Sequence, residues 1–218
     1  MESLGIIRYY FTILLLCCLK FCTFALQRLK HNTMKLIKKL ITLILVFIAI
    51  IVGAYAYFGG FTKIVLKVEE TGGEMVVYRE MQGSYGKSAD LMKSIGEELL
   101  SDFEVNVSKG IGIYYDNPNE IATDDLHWEI GAIIQTDDKN KIEDLKKTFS
   151  IKTLPIQEYI SVDMPMKGFF SIMVGTFKVY PKIEDYLKDN GFSDEVPIME
   201  IYDNQNKIIT YRVALVKK

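Results

Sequence analysis

Between Leu40 and Phe58 the chain reads LITLILVFIAIIVGAYAYF, roughly 19 residues without a charge. At ~1.5 Å of rise per residue such a helix measures about 30 Å, the thickness of a bilayer's hydrocarbon core. A buried helix of a globular domain seldom runs this far without a polar side chain. Tyr55, Tyr57 and Phe58 close the run, where amphipathic rings favour a membrane interface. Met34-Lys35-Leu36-Ile37-Lys38-Lys39 precedes it as a short basic flank. The run is expected to be a transmembrane helix, and whatever folds after it does so on one side of a membrane.

The charge distribution agrees. The formal net charge of -2 hides an asymmetry: ahead of Phe61 stand Arg8, Lys20, Arg28, Lys30, Lys35, Lys38 and Lys39 against Glu2 alone. Basic residues beside a span stay cytoplasmic, so the folded part is expected on the non-cytoplasmic side. A cleaved signal peptide is the competing reading. Ala54-Tyr55-Ala56 is a poor cleavage site, because bulky Tyr57 and Phe58 follow at once, so an anchor is preferred. The apolar stretch Ile6–Leu26, interrupted by Arg8 and Lys20, leaves two readings open. It is either a first span paired with the second, or residues 1–33 are an over-extended start and Met34 is the first residue. The expected location is the cell membrane, single-pass, or two-pass if Ile6–Leu26 also spans.

Cys17, Cys18 and Cys22 all precede the span, so no disulfide framework or cysteine metal site is expected in the folded part. His31 and His127 have no metal-ligand spacing. Neither a phosphate-cradling loop nor a nucleophile elbow occurs, and no cofactor is expected.

From Phe61 on, strand and helix signals come twice in the same order. In the first half Lys63–Glu69 alternates, Thr71-Gly72-Gly73 marks a turn, and Glu74–Met81 alternates again, which predicts a hairpin. Ala89, Leu91, Met92, Ile95, Leu99 and Leu100 fall at helical spacing within Ser84–Phe103. Strands Gly110–Tyr115 and His127–Gln135 follow. In the second half, strands Lys147–Thr153 and Gln157–Met164 flank Pro155. A helical region spans Gly168–Asn190, with Pro181 placing a kink or a second helix start within it. Strands Pro197–Tyr202 and Lys207–Val216 close the chain. The predicted fold class is α+β: duplicated βαββ halves of antiparallel sheet and helices behind an N-terminal transmembrane helix. The predicted boundaries are 1–33, an anchor at 34–60, and a domain at 61–218 with halves near 61–135 and 147–216.

Letters repeat as well as patterns. Ile111–Asn119 (IGIYYDNPN) aligns with Ile198–Asn206 (IMEIYDNQN), both ending a strand in Tyr-Asp-Asn. In that alignment Glu200 stands where the first half has Ile113. Ile198, Glu200 and Tyr202 share one strand face.

These stretches, with Trp128-Glu-Ile-Gly131 and Pro197-Ile-Met-Glu-Ile-Tyr202, resemble the GyrI-like family, a gyrase-inhibitor-like, small-molecule-binding fold of two βαββ halves. The Tyr-Tyr-Asp-Asn-Pro strand and Ser171–Pro181 are similar to its membrane-anchored branch, which includes the testis-expressed ER-phagy receptor. The resemblance implies a ligand cleft between the halves with a strand glutamate at its floor. By motif that residue is Glu200, with Tyr202, Tyr115 at the repeat-equivalent position, and Trp128 as aromatic candidates. No helix-turn-helix precedes the domain and no long acidic tail follows it here, so neither a transcription-factor role nor an autophagy role carries over.

A carboxylate among rings suits an organic cation, through charge and through cation–π attraction of ~0.5–2 kcal/mol per ring. The expected partners are the bilayer, through the N-terminal helix, and a small apolar or cationic organic ligand, with no nucleic acid. Two alternatives stand beside this binding module. One is a hydrolase with Glu200 as general base and Tyr202 or Tyr115 as proton donor. The other is a non-catalytic adaptor whose cleft is plugged by Phe169, Phe170 or Trp128. Glu200 could also be neutralised internally by Lys178, Arg212 or a tyrosine hydroxyl.

Overall fold

The computed structural model describes residues 34–218. The readings of Ile6–Leu26, the three cysteines and His31 lie outside those residues. Two units are distinguished, one reaching to Ala54 and one from Tyr55 to Lys218. The first carries most of helix α1 (Met34–Tyr57), which is long and apolar enough to cross a bilayer. Its side chains are exposed along the whole length, as they would be on a helix solvated by lipid rather than by a protein core.

The second unit repeats one order of elements. The first half contains β1 (Lys67–Thr71), β2 (Met75–Gln82), α2 (Ser88–Phe103), β3 (Lys109–Tyr114) and β4 (His127–Ile134). A short α3 (Lys139–Leu145) joins it to the second half: β5 (Ser150–Thr153), β6 (Gln157–Pro165), α4 (Phe169–Asp189), β7 (Ile198–Asp203) and β8 (Ile208–Ala214). Sequence patterning did not anticipate α3. It is too short for a periodic signal, and its evidence is local: the Asp138 carboxylate accepts from the Asn140 and Lys141 N–H groups at the helix start. α4 runs unbroken through Pro181, so no second helix starts there.

All eight strands form one antiparallel sheet, ordered β1-β6-β8-β7-β3-β4-β2-β5. The predicted β1–β2 hairpin does not form. β1 pairs with β6 of the second half, and β5 pairs with β2 of the first. Each half gives its first strand to the other. The reason lies at the turns. Gly72 and Gly73 both take positive φ. The Gly73 N–H donates not across a hairpin but to Leu154 O, and Leu154 N–H returns a bond to Glu74 O.

Helices α2 and α4 lie on the same face, each over its own half. Ile95 and Leu99 of α2 pack with Val77, Trp128 and Ile130. Val179, Ile183 and Leu187 of α4 pack with Ile160, Ile209 and Tyr211. Each such buried side chain contributes roughly 1.5–3 kcal/mol. The opposite face carries its own apolar layer, including Ile111, Ile113, Met199 and Ile201.

The crossing of the two turns is tight. A Cβ on Gly72 would lie 2.0 Å from Pro155 O, on a backbone with φ of +125°. Gly72→Ala should therefore destabilise the body by about 2 kcal/mol or more, whereas Gly83→Ala, whose Cβ meets nothing within 4 Å, should cost less. Denaturant unfolding of the two variants checks this.

Candidate functional site

β3 and β7 meet at the centre of the sheet, where Gly110 faces Tyr202 and Gly112 faces Glu200. Two glycines in alternate positions leave Tyr114 as the one β3 side chain on the helix-bearing face. Met92 of α2 leans over Gly110 and the Tyr114 hydroxyl over Gly112, where an added Cβ would come within 2.2 and 2.7 Å of them. With α2 and α4 set apart on either side, a cavity of about 1220 Å³ opens above this floor. Ala89 and Met92 line it from α2, Ile172, Thr176 and Tyr180 from α4, and Glu200 and Tyr202 from β7.

Glu200 is only 4% exposed. Its Oε1 accepts from the Tyr180 hydroxyl at 2.8 Å, and its Oε2 accepts from the Tyr202 hydroxyl. No ion pair reaches it among the described residues. Lys178 instead donates to Gly60 O and Thr62 O at 2.6 and 2.7 Å, and Arg212 pairs with Glu74 at 2.8 Å. Burial pushes the Glu200 carboxyl above its ordinary value, and the hydrogen bonds from Tyr202, Tyr180 and Thr176 only partly offset it. Burial, and then the negative charge of Glu200, raise Tyr180 and Tyr202 so far that both hydroxyls remain protonated donors.

Tyr211, paired with Glu200 across β7 and β8, completes the ring cluster. Its ring lies edge-on to Tyr180 at 6.0 Å. Its hydroxyl donates to Ile172 O at 3.2 Å, in space left by Gly175. Acidic side chains outnumber lysines in the cavity lining by seven to two, with Glu97, Asp116, Glu120, Glu184, Asp194 and Glu195 joining Glu200 against Lys93 and Lys188.

The GyrI-like small molecule binding domain matches residues 68–213, two thirds of the chain. This protein belongs to the GyrI-like family. Human testis-expressed protein 264 is 25% identical over 160 residues, covering 66% of this chain and 48% of that protein. The mouse homolog is 27% identical over 142 residues, covering 61% and 42%. The chain thus spans less than half the length of these curated relatives. Among solved structures, the EcmrR C-terminal domain superposes with a TM-score of 0.52 at 13% identity, covering 71% of this chain and 99% of that one. EcmrR in a DNA complex superposes at 0.53 and 12%, covering 77% and 64%. At such identities the likeness is one of fold.

Three of the four residues singled out in the sequence, Glu200, Tyr202 and Tyr115, line this cavity of the GyrI-like body. The placing of Trp128 and the repeat match given to Tyr115 need correction. Trp128 does not line the cavity. It is buried in the core under α2, where its ring stacks beside Tyr114 at 6.2 Å and its Nε1–H donates to Gly83 O at 3.1 Å. Tyr115 borders the cavity, but its hydroxyl donates to Glu129 at 2.8 Å, and Glu129 in turn pairs with Lys152. Nor is Tyr115 the counterpart of Tyr202. Directly paired residues share a sheet face, so Glu200 faces with Gly112, while Ile113 faces the other way with Met199. Matching faces equates Gly112 with Glu200 and Tyr114 with Tyr202. The letter alignment slipped by one because β3 ends at Tyr114 and the first half holds an additional tyrosine before Asp-Asn.

Sequence reasoning passed over Tyr180, Thr176 and Tyr114. The i, i+4 spacing of Ile172, Thr176 and Tyr180 on one face of α4 was the available signal. A mixed polar and aromatic face on a long helix also reads as ordinary core edge.

The raised carboxyl makes a signed prediction. Between the unfolded value near 4.5 and the higher folded value, the native state holds more protons than the unfolded one. Stability attributable to this group therefore falls as pH rises through that window. Glu200→Gln removes the titration. Its melting temperature should exceed that of the wild type at pH 8, and the gap should close as pH falls toward 4.5, as followed by thermal denaturation across pH.

Proposed function

We propose that this protein is a membrane-tethered binding module that takes a small apolar cation in the cleft between α2 and α4. The observation that carries the reading is a buried carboxylate, without a cationic partner among the described residues, at the floor of a cavity of about 1220 Å³. Leaving such a charge unpaired costs free energy, and a ligand that brings the missing cation recovers part of it. The rings of Tyr180, Tyr202 and Tyr114 supply faces or edges for the ligand's apolar part. The acid-rich lining raises the local concentration of cations.

In this reading residues 34–60 are the anchor and residues 61–218 the ligand domain. The basic flank at Lys35, Lys38 and Lys39 keeps the N-terminal side of the span in the cytoplasm, which places the ligand domain outside it. The cell membrane is the proposed location. An adaptor with a plugged cleft fits less well, since Phe169 and Phe170 are exposed and Trp128 lies in the core. A hydrolase would need Glu200 to take a proton from water. Both of its oxygens accept tyrosine hydrogen bonds, which hold the charged form in place and favour binding over general-base chemistry.

The test uses the full chain in detergent or nanodiscs with two probes of similar size, tetraphenylphosphonium and neutral triphenylphosphine oxide. The cation should bind saturably and at least tenfold more tightly, about 1.4 kcal/mol. Glu200→Gln should abolish that preference, and so should lowering the pH through the carboxyl's titration. Equal affinity for both probes, unchanged in the variant, would exclude the proposal.

A further inference from the structure

We propose that the N-terminal half of α4 is a second membrane contact, and that the cavity opens toward the bilayer interface. This inference rests on reading α1 as a membrane span. At about 100° per residue, Phe169, Phe170, Met173 and Phe177 fall within an arc of about 100° on the helix surface. They are 66%, 61%, 39% and 75% exposed. Exposed apolar residues are ordinary when scattered, but a stripe of three phenylalanines and a methionine on one helix is a surface meant to be covered.

The covering partner is identified by what stands beside the stripe. The Phe58 ring, the first to follow α1, lies 5.5 Å from the Phe170 ring. Lys167 Nζ sits 4.7 Å over the Tyr57 ring. Lys178 Nζ grips the next turn of chain through Gly60 O and Thr62 O. When α1 spans, Tyr57 and Phe58 are at the membrane interface, so residues in contact with them are there too. Phe61, between the two residues that Lys178 holds, is itself 69% exposed. Lysines accompany the stripe: Lys167 and Lys207, with Phe169 and Ile172, line a second cavity of about 450 Å³. Aromatic side chains with flanking lysines are the composition of an interfacial membrane contact, rings among the acyl carbonyls and ammonium groups toward lipid phosphates.

The stripe is continuous with the ligand cleft. Phe169 belongs to the lining of both cavities, and the neighbouring face of α4 presents Ile172, Thr176 and Tyr180 inward. A ligand dissolved in the interface would reach Glu200 without crossing water. The class this favours is an amphiphilic cation that partitions into lipid.

The test is tryptophan quenching by brominated phosphatidylcholine, with the full chain reconstituted in vesicles. Trp128 is the one native tryptophan and supplies the background to subtract. Phe177→Trp places a reporter on the stripe. Ile156→Trp is the control, because Ile156 is 69% exposed and precedes β6, whose other end leads into α4 about 30 Å away. Quenching of Phe177→Trp several-fold above Ile156→Trp is the expected result. If the protein floats with the vesicles but the two reporters are quenched alike, this inference falls and the anchor stands. A blue-shifted Phe177→Trp emission without quenching would also overturn it, since that pairs the stripe with protein. Failure to float removes the anchor and this inference together.

Discussion

Six residue pairs, from Lys109 with Asp203 to Tyr114 with Ile198, join β3 to β7 and make one sheet of two halves. That pairing sets the distance between α2 and α4, since each helix is held by the apolar side chains of its own half. It also aligns the two β3 glycines with the only charged residue of β7 that faces the helices. The cleft is the consequence: two helices cannot close over a seam where one strand presents two glycines and its neighbour carries a carboxylate. The exchange of β1 and β5 strengthens the seam from outside, because each half is edged by a strand of the other.

The seam concentrates electrostatic cost in one place. Glu200 has lost most of its water, and the hydroxyls of Tyr180 and Tyr202 replace only part of it. Two other partly buried carboxylates of the body are matched by cations, Glu74 by Arg212 and Glu129 by Lys152. The contrast gives Glu200 its meaning: among the described residues it is left to hydroxyl groups alone, beside open volume. The tyrosines, held protonated by the same burial, act as donors that aim the carboxylate and as rings that line the space.

Much of this was legible from residues alone. Alternation within Met75–Gln82 and Gln157–Pro165, and helical spacing within α2, named most elements to within a few residues. Glu200 stood out by interrupting a strand pattern, and Tyr202 by sharing its face. Pairing was not legible. Thr71-Gly72-Gly73 has the composition of a hairpin turn, yet its N–H bonds are spent on Leu154, a partner some eighty positions away by the numbering. Trp128 was a candidate through the aromatic cleft that the family resemblance implies, but a side chain on β4 opposite Tyr114 lies under α2, and only the packing of that helix reveals it. The doublet Tyr114-Tyr115 offered two registers, and only the hydrogen-bond ladder chooses between them.

By itself, the sequence determined a long uncharged helix followed by two like halves, and it marked one strand carboxylate as out of place. Those properties are carried by local period and composition, which neighbours along the chain are sufficient to express. The tertiary structure decided which strands exchange, which tyrosines meet Glu200, and that α4 bears phenylalanines on its outer side next to the end of α1. These depend on contacts between residues distant in sequence, where a one-residue shift in register turns every side chain to the other face.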